Sequence, residues 1–178
     1  MKILIGYASK TGTAKTCAER LGEALKGQSV TLADLERDTH DPREYDLVVL
    51  GSSVRFGKTR PRFSEYIKAN RGVLMEIPHG FFLCCGFGHE FERYEEKNLD
   101  EKLRDTAFAS LNFGGCLKLP NAGWGEKLFL RWVRSDIRSS EIEDGEYTPT
   151  LPDVLPENIS MMAANVRREI GSIKKRNG

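Results

Sequence analysis

Four stretches of this chain are almost continuously apolar: residues 2–7, 46–51, 80–85 and 113–119, with a weaker run at 29–32. None alternates apolar with polar, the pattern of a strand wet on one face. Continuous runs of this length suit strands covered on both sides, as in a parallel sheet. Between them the period changes. Ala14, Cys17, Ala18, Leu21 and Leu25 recur at spacings of three and four, predicting a helix over 13–26. Phe63, Tyr66 and Ile67 predict one over 61–71. Leu99, Leu103, Ala107 and Leu111 predict another over 98–111. In the last segment Ile159, Met162, Ala163, Val166, Ile170 and Ile173 form one stripe over 156–176, with Pro156 placed to open the helix. Strands alternating with helices predict right-handed βαβ units and a three-layer α/β sandwich in a single domain spanning 1–178. The polar, Pro-containing stretch 135–156 reads as a long excursion before the final helix.

Composition narrows the class. The 178 residues are 39% hydrophobic and 30% charged, as expected of a globular protein, and no run is long enough to cross a bilayer. The apolar N terminus is shorter than a secretory signal needs and reads as the first strand, so the expected location is the cytoplasm. A formal charge of +1 gives no overall field for nucleic acid, and none is expected as a partner. The charge is nonetheless uneven: residues 90–105 are net acidic, whereas 127–138 and 167–176 are net basic. Cys17, Cys84, Cys85 and Cys116 have no metal-ligand spacing. Adjacent Cys84 and Cys85 would point to opposite faces of a strand and be buried as free thiols. No paired carboxylates, Ser-His-Asp or Cys-His arrangement stands out, and His40, His79 and His89 are dispersed.

The candidate chemistry lies where the apolar runs end. After the first comes "YASKTGTAKT", rich in Ser, Thr and Gly. It lacks both the Gly-Lys-Ser/Thr ending of a P-loop and the G-x-G-x-x-G of dinucleotide sites. A turn of this kind leading into a helix aims backbone N–H groups and the positive helix end at one point, where a phosphate monoester can sit. Ser9, Thr11 and Thr13 add hydroxyls, and Gly12 permits a tight fold around the anion. The same residue types also make an ordinary helix cap, so the segment alone leaves both readings open. After the run 46–51 comes "GSSVRFGKTRPRF", in which Phe56 can stack on a flat ring and Gly57 keeps the backbone close to it. After the run 80–85 comes "CCGFGHEFERY", with Gly86 and Gly88 on either side of Phe87. In open α/β sheets, ligands bind at the strand ends from which these three loops leave.

Together these residues resemble the flavodoxin-like, FMN-binding family. Ser9-Lys10-Thr11-Gly12-Thr13 is similar to its Ser/Thr-x-Thr-Gly-x-Thr phosphate loop. Within the family, "YDLVVLGSSVRFGKTRPRFSEYI" and "GGCLKLPNAGWGEKLFLRWV" resemble segments of the menaquinone-dependent protoporphyrinogen oxidase group, collinear over nearly the whole chain. The resemblance implies a five-stranded parallel sheet in the order 2-1-3-4-5, for which flavodoxin is the standard example. It also implies FMN as cofactor. Ser9, Lys10, Thr11, Gly12, Thr13 and Ala14 would hold the phosphate. Ser52, Ser53, Val54, Arg55, Phe56 and Gly57 would flank the ring, with Cys85, Gly86, Phe87 and Gly88 as the second ring loop. The glycine-bearing backbone would stabilise reduced flavin, and Phe56 and Phe87 would exclude water.

Two departures stand out. Ala14 replaces the loop's final Thr, removing one hydroxyl, and a hydrogen bond to a charged group is worth about 1.5–3 kcal/mol. The segment "HEFERYEEKNLDEK" is net acidic where the oxidase group is basic. The near-neutral chain also departs from soluble flavodoxins, which tend to be acidic. The implied function is electron transfer with a redox partner protein or a quinone. An alternative is protoporphyrinogen oxidation coupled to a quinone, and a minor one is an interaction domain that has lost flavin. The aromatic and basic segment 124–138 (Trp124, Lys127, Phe129, Arg131, Trp132, Arg134, Arg138) either packs on the protein body or makes peripheral contact with the inner face of a membrane.

Overall fold

A computed structural model describes residues 1–86, 90–115 and 154–176. Five strands, β1 (Lys2–Ala8), β2 (Ser29–Asp34), β3 (Leu47–Ser53), β4 (His79–Cys84) and β5 (Ser110–Asn112), form one sheet in the order β2-β1-β3-β4-β5. Every neighbouring pair is parallel. The α-helices among the described residues are α1 (Thr13–Ala24), α2 (Pro61–Ala69), α3 (Arg71–Leu74), α4 (Phe91–Asn98), α5 (Glu101–Thr106) and α6 (Pro156–Arg176).

The apolar runs are continuous because successive side chains feed two cores. Ile3, Ile5, Tyr7, Leu47, Val49, Phe82 and Cys84 pack with the stripes of α1 and α6. Leu4, Ala8, Val48, Leu50, Phe81 and Leu83 pack with Phe63, Tyr66 and Ile67 of α2 and with Leu103 of α5 on the other side. Cys84 and Cys85 are both buried, and Cys84 belongs to the α1–α6 core.

Two predicted elements differ from the structure over the described residues. The fifth strand of the sheet is Ser110–Asn112, ahead of the run predicted at 113–119, of which residues 116–119 lie outside the described residues. The Asn112 carboxamide oxygen accepts the N–H of Gly114 at 2.8 Å, and Gly114 turns at φ 77, so the chain leaves the ladder there. Residues 98–111 are likewise not one helix. Leu99 is extended, and Asp100 caps a separate helix by accepting the N–H of Leu103 at 3.2 Å. The helix predicted over 61–71 ends at Ala69, and α3 follows. Phe87, Gly88, His89, Cys116 and the segments 124–138 and 135–153 lie outside the described residues.

Val154 lies beside the end of β5. Gly114 bridges Val154, the Leu155 N–H bonds the Phe113 carbonyl at 3.0 Å, and Asn158 Nδ2 donates to the Asn112 carbonyl at 2.6 Å. Among the described residues, no helix is long and apolar enough to cross a membrane.

Between the central strands the packing leaves no room for a side chain at Gly51. A Cβ there would lie 2.0 Å from Phe82 Cζ. Gly51→Ala is expected to destabilise the protein by about 1–3 kcal/mol in urea unfolding. Phe82→Leu, which removes the ring, should shrink that increment; an unchanged increment would mean that the ring is not its cause.

Candidate functional site

β1, β3 and β4 are adjacent and end level with one another: Ala8 pairs with Ser52, and Ser53 with Cys84. Their following loops therefore leave one edge of the sheet together.

The first loop is built from backbone. Gly12 sits at φ 90, with open space where a Cβ would project. Its N–H donates to Ser9 Oγ at 3.0 Å, which closes the loop and leaves the Ser9 hydroxyl hydrogen for another acceptor. Thr16 is the first residue of α1 whose N–H reaches a carbonyl, that of Gly12 at 2.9 Å. The N–H groups of Thr13, Ala14 and Lys15 have no acceptor among the described residues. Three bare donors at the positive end of a twelve-residue helix make a seat for an anion. The Ala14 methyl is fully buried in the α1 core, so this residue offers the seat only its N–H.

The second loop is a tight reversal. Arg55 and Lys58 exchange both backbone bonds, N–H to O=C at 2.8 and 3.1 Å. Between them Phe56 (φ 51) and Gly57 (φ 71) are both left-handed, as a two-residue turn of the I′ type requires. For phenylalanine that conformation costs roughly 1–2 kcal/mol. It nevertheless holds the ring 64% exposed, 5.3 Å beneath the Arg55 guanidinium. The Gly57 N–H has no acceptor among the described residues. Ser52, by contrast, is used inside the loop: its hydroxyl accepts the Arg60 N–H at 2.9 Å and donates to the Ser53 carbonyl at 3.1 Å. Ser53 continues the ladder, and Val54 adds one more rung by donating to the Cys84 carbonyl at 2.9 Å.

The third loop begins at Cys85, whose N–H and thiol face Asn112 Oδ1 at 3.5 and 3.2 Å. Gly86 follows, and a Cβ on Gly115 would lie 2.6 Å from its nitrogen, so β5 leaves the sheet pressed against this backbone. Burial pushes the Cys85 thiol up to about 12, which removes it as a nucleophile at neutral pH. Among the described residues, no group of His, Cys, Asp and Glu could hold a metal.

The structure thus brings residues 9–14, 52–57 and 85–86 to one edge. The anion seat, an exposed aromatic ring and an unpaired backbone donor fit a phosphorylated ligand with a flat heteroaromatic head. The chemistry of these donors fits FMN.

The model of the family described as "Flavodoxin domain" matches residues 4–141. The chain belongs to the flavodoxin domain family. A protein of Escherichia coli named protoporphyrinogen IX dehydrogenase [quinone] is 32% identical over 184 residues, covering 97% of this flavodoxin-domain chain and 96% of that one. A Leishmania major protein of the same name is 20% identical, over 74% of this chain and 62% of its own. The crystal structure of oxidised flavodoxin 1 from Bacillus cereus has a TM-score of 0.50 at 15% identity. It covers 78% of this chain and 98% of that one, and bears on the fold alone.

Two residues that support the flavodoxin-type loops escape sequence reasoning. Asn112 carries a local sign, since an asparagine before Phe-Gly-Gly suits a side-chain turn. Asn98 carries none, because the turn residues it holds, Gly57 and Thr59, are about forty residues away.

The raised Cys85 thiol has a consequence for stability. The folded protein keeps this proton from the ordinary thiol range up to about 12, while the unfolded chain releases it, so stability falls as pH rises through that window. One such group contributes a slope of up to about 1.4 kcal/mol per pH unit. Cys85→Ser is therefore expected to lose stability less steeply than wild type between roughly pH 8.5 and 10.5 in denaturant titrations. Parallel slopes would contradict the assignment.

Proposed function

We propose that this chain binds FMN at the carboxyl edge of its sheet and works as an electron-transfer flavoprotein. The observation that carries the reading is the convergence of bare Thr13, Ala14 and Lys15 N–H groups with the strained, exposed Phe56 turn on one edge. FMN, when bound, supplies the redox chemistry. The protein supplies its placement. The three N–H groups and the Ser9 hydroxyl hold the phosphate, while Lys10, Thr11, Gly12 and Thr13 wrap it. Phe56 covers the ring and excludes water. The Gly57 N–H and the backbone at Cys85–Gly86 face its polar edge, with Phe87 and Gly88 continuing that loop.

Collinearity with the E. coli relative over almost the full length of both chains favours a second, narrower reading. In it, a protoporphyrinogen-like substrate gives up hydrogen at this site and the electrons pass to a quinone. A quinone is lipophilic, and the aromatic and basic composition of residues 124–138 suits a peripheral membrane contact. A redox protein would be the electron acceptor under the first reading.

Supplied with FMN, the apoprotein is expected to retain one flavin per chain and to show its visible bands after gel filtration. Failure to retain any flavin would overturn both readings. The flavin-loaded protein should then be mixed anaerobically with protoporphyrinogen, with and without a menaquinone analogue. Porphyrin fluorescence that depends on both protein and quinone supports the oxidase. Its absence, with the flavin still reducible, leaves the electron carrier.

A further inference from the structure

We propose that Asn98, at the C-terminal end of α4, is the positioning residue that holds the Phe56–Gly57 turn in the shape that binds the flavin ring. The proposal rests on the FMN reading above and adds to it a residue from outside the three loops.

The turn needs external support because it combines a left-handed phenylalanine with a left-handed glycine. The exchange between Arg55 and Lys58 fixes its two ends. The peptide joining Gly57 to Lys58 is then held from both sides. The Lys58 N–H donates to the Arg55 carbonyl at 3.1 Å, and the Gly57 carbonyl accepts from Asn98 Nδ2 at 3.1 Å. This peptide cannot rotate without breaking both bonds. Asn98 Oδ1 also accepts the Thr59 N–H at 2.9 Å and the Thr59 hydroxyl at 3.2 Å, securing the chain just beyond the turn.

The second Nδ2 hydrogen goes to the Tyr94 carbonyl at 2.7 Å. That bond alone would cap the end of α4, so the bonds to Gly57 and Thr59 exceed what capping requires. Both donors and both acceptor positions of one carboxamide are thereby used, and no other side chain of this size offers that set. Aspartate keeps the Thr59 contacts but cannot donate to Gly57. Alanine loses everything. Threonine 59 has its own partner in Ser64 Oγ at 3.1 Å, so its hydroxyl can be removed without touching the Gly57 bond.

α4 also lies against the turn. A side chain on Gly57 would meet Tyr94 Cε1 at 3.5 Å and Lys97 Nζ at 3.6 Å. The acidic helix that follows the third loop therefore sets the second loop, and the turn is shaped before ligand arrives. Pre-organisation of this kind raises affinity by removing an ordering cost.

The test is FMN affinity, read by quenching of flavin fluorescence in full-length wild type, Asn98→Asp, Asn98→Ala and Thr59→Val. Far-UV circular dichroism establishes that each apoprotein is folded at the titration temperature. Asn98→Asp and Asn98→Ala are each expected to raise the dissociation constant by about tenfold or more, with Thr59→Val within about threefold of wild type. A folded Asn98→Asp that binds FMN within about twofold of wild type would overturn the proposal. So would a Thr59→Val variant weakened as much as Asn98→Asp, because the effect would then lie in the Thr59 contacts. If Asn98→Ala does not fold, the isosteric aspartate variant decides alone. If wild type itself binds no FMN, the cofactor reading falls and this proposal with it.

Discussion

The parallel register of β1, β3 and β4 is the constraint on which the candidate site depends. Ala8 lies beside Ser52, and Ser53 beside Cys84, so three strands stop within about one residue of each other. The loops that follow begin on a common line, and Val54 extends it by donating to the Cys84 carbonyl. That alignment requires close strand packing, and Gly51 under the Phe82 ring is where it is tightest. A sheet slipped by one residue would exchange its two cores as well as scatter its loops, which is why register and site are specified by the same apolar residues.

Above the sheet the division of labour changes. Apolar side chains give way to polar ones whose hydrogen bonds are directed at the backbone. Ser52 ties both feet of the second loop, Asn98 fixes its turn, and Asn112 fixes the start of the third. These bonds offset the left-handed Phe56, a conformation that persists only where its surroundings over-determine it. The groups without acceptors among the described residues, at Thr13, Ala14, Lys15 and Gly57, are backbone N–H groups at the same edge. Strain and unmet donors thus collect where a ligand can satisfy them.

How legible this was in the sequence follows from how local each signal is. β1, β3 and β4 stand out as unbroken apolar runs because both their faces are buried, and α6 stands out by its stripe. α4 has no buried residue among the eight it contains, so periodicity is blind to it. β5 is three residues long and is ended by an asparagine side chain, too short to stand out as an apolar run of its own. The proposed phosphate loop is readable because Gly12 and its neighbouring hydroxyl residues are contiguous. Ser52, expected to flank the ring, has its hydroxyl engaged within the loop, a pairing that only the folded chain reveals. Ala14 likewise counts as a lost hydroxyl in the sequence, whereas in the fold its methyl completes the core and its N–H stays at the seat.

The central claim is that the first turn of α1 is a phosphate seat and that the other two loops receive the ring attached to it. Comparing FMN with riboflavin, which differs only in lacking the phosphate, tests this most directly. Titrated under the same conditions into the same apoprotein, FMN is expected to bind at least about a hundredfold more tightly, since several charge-assisted bonds are at stake. Equal affinity for the two would contradict the account.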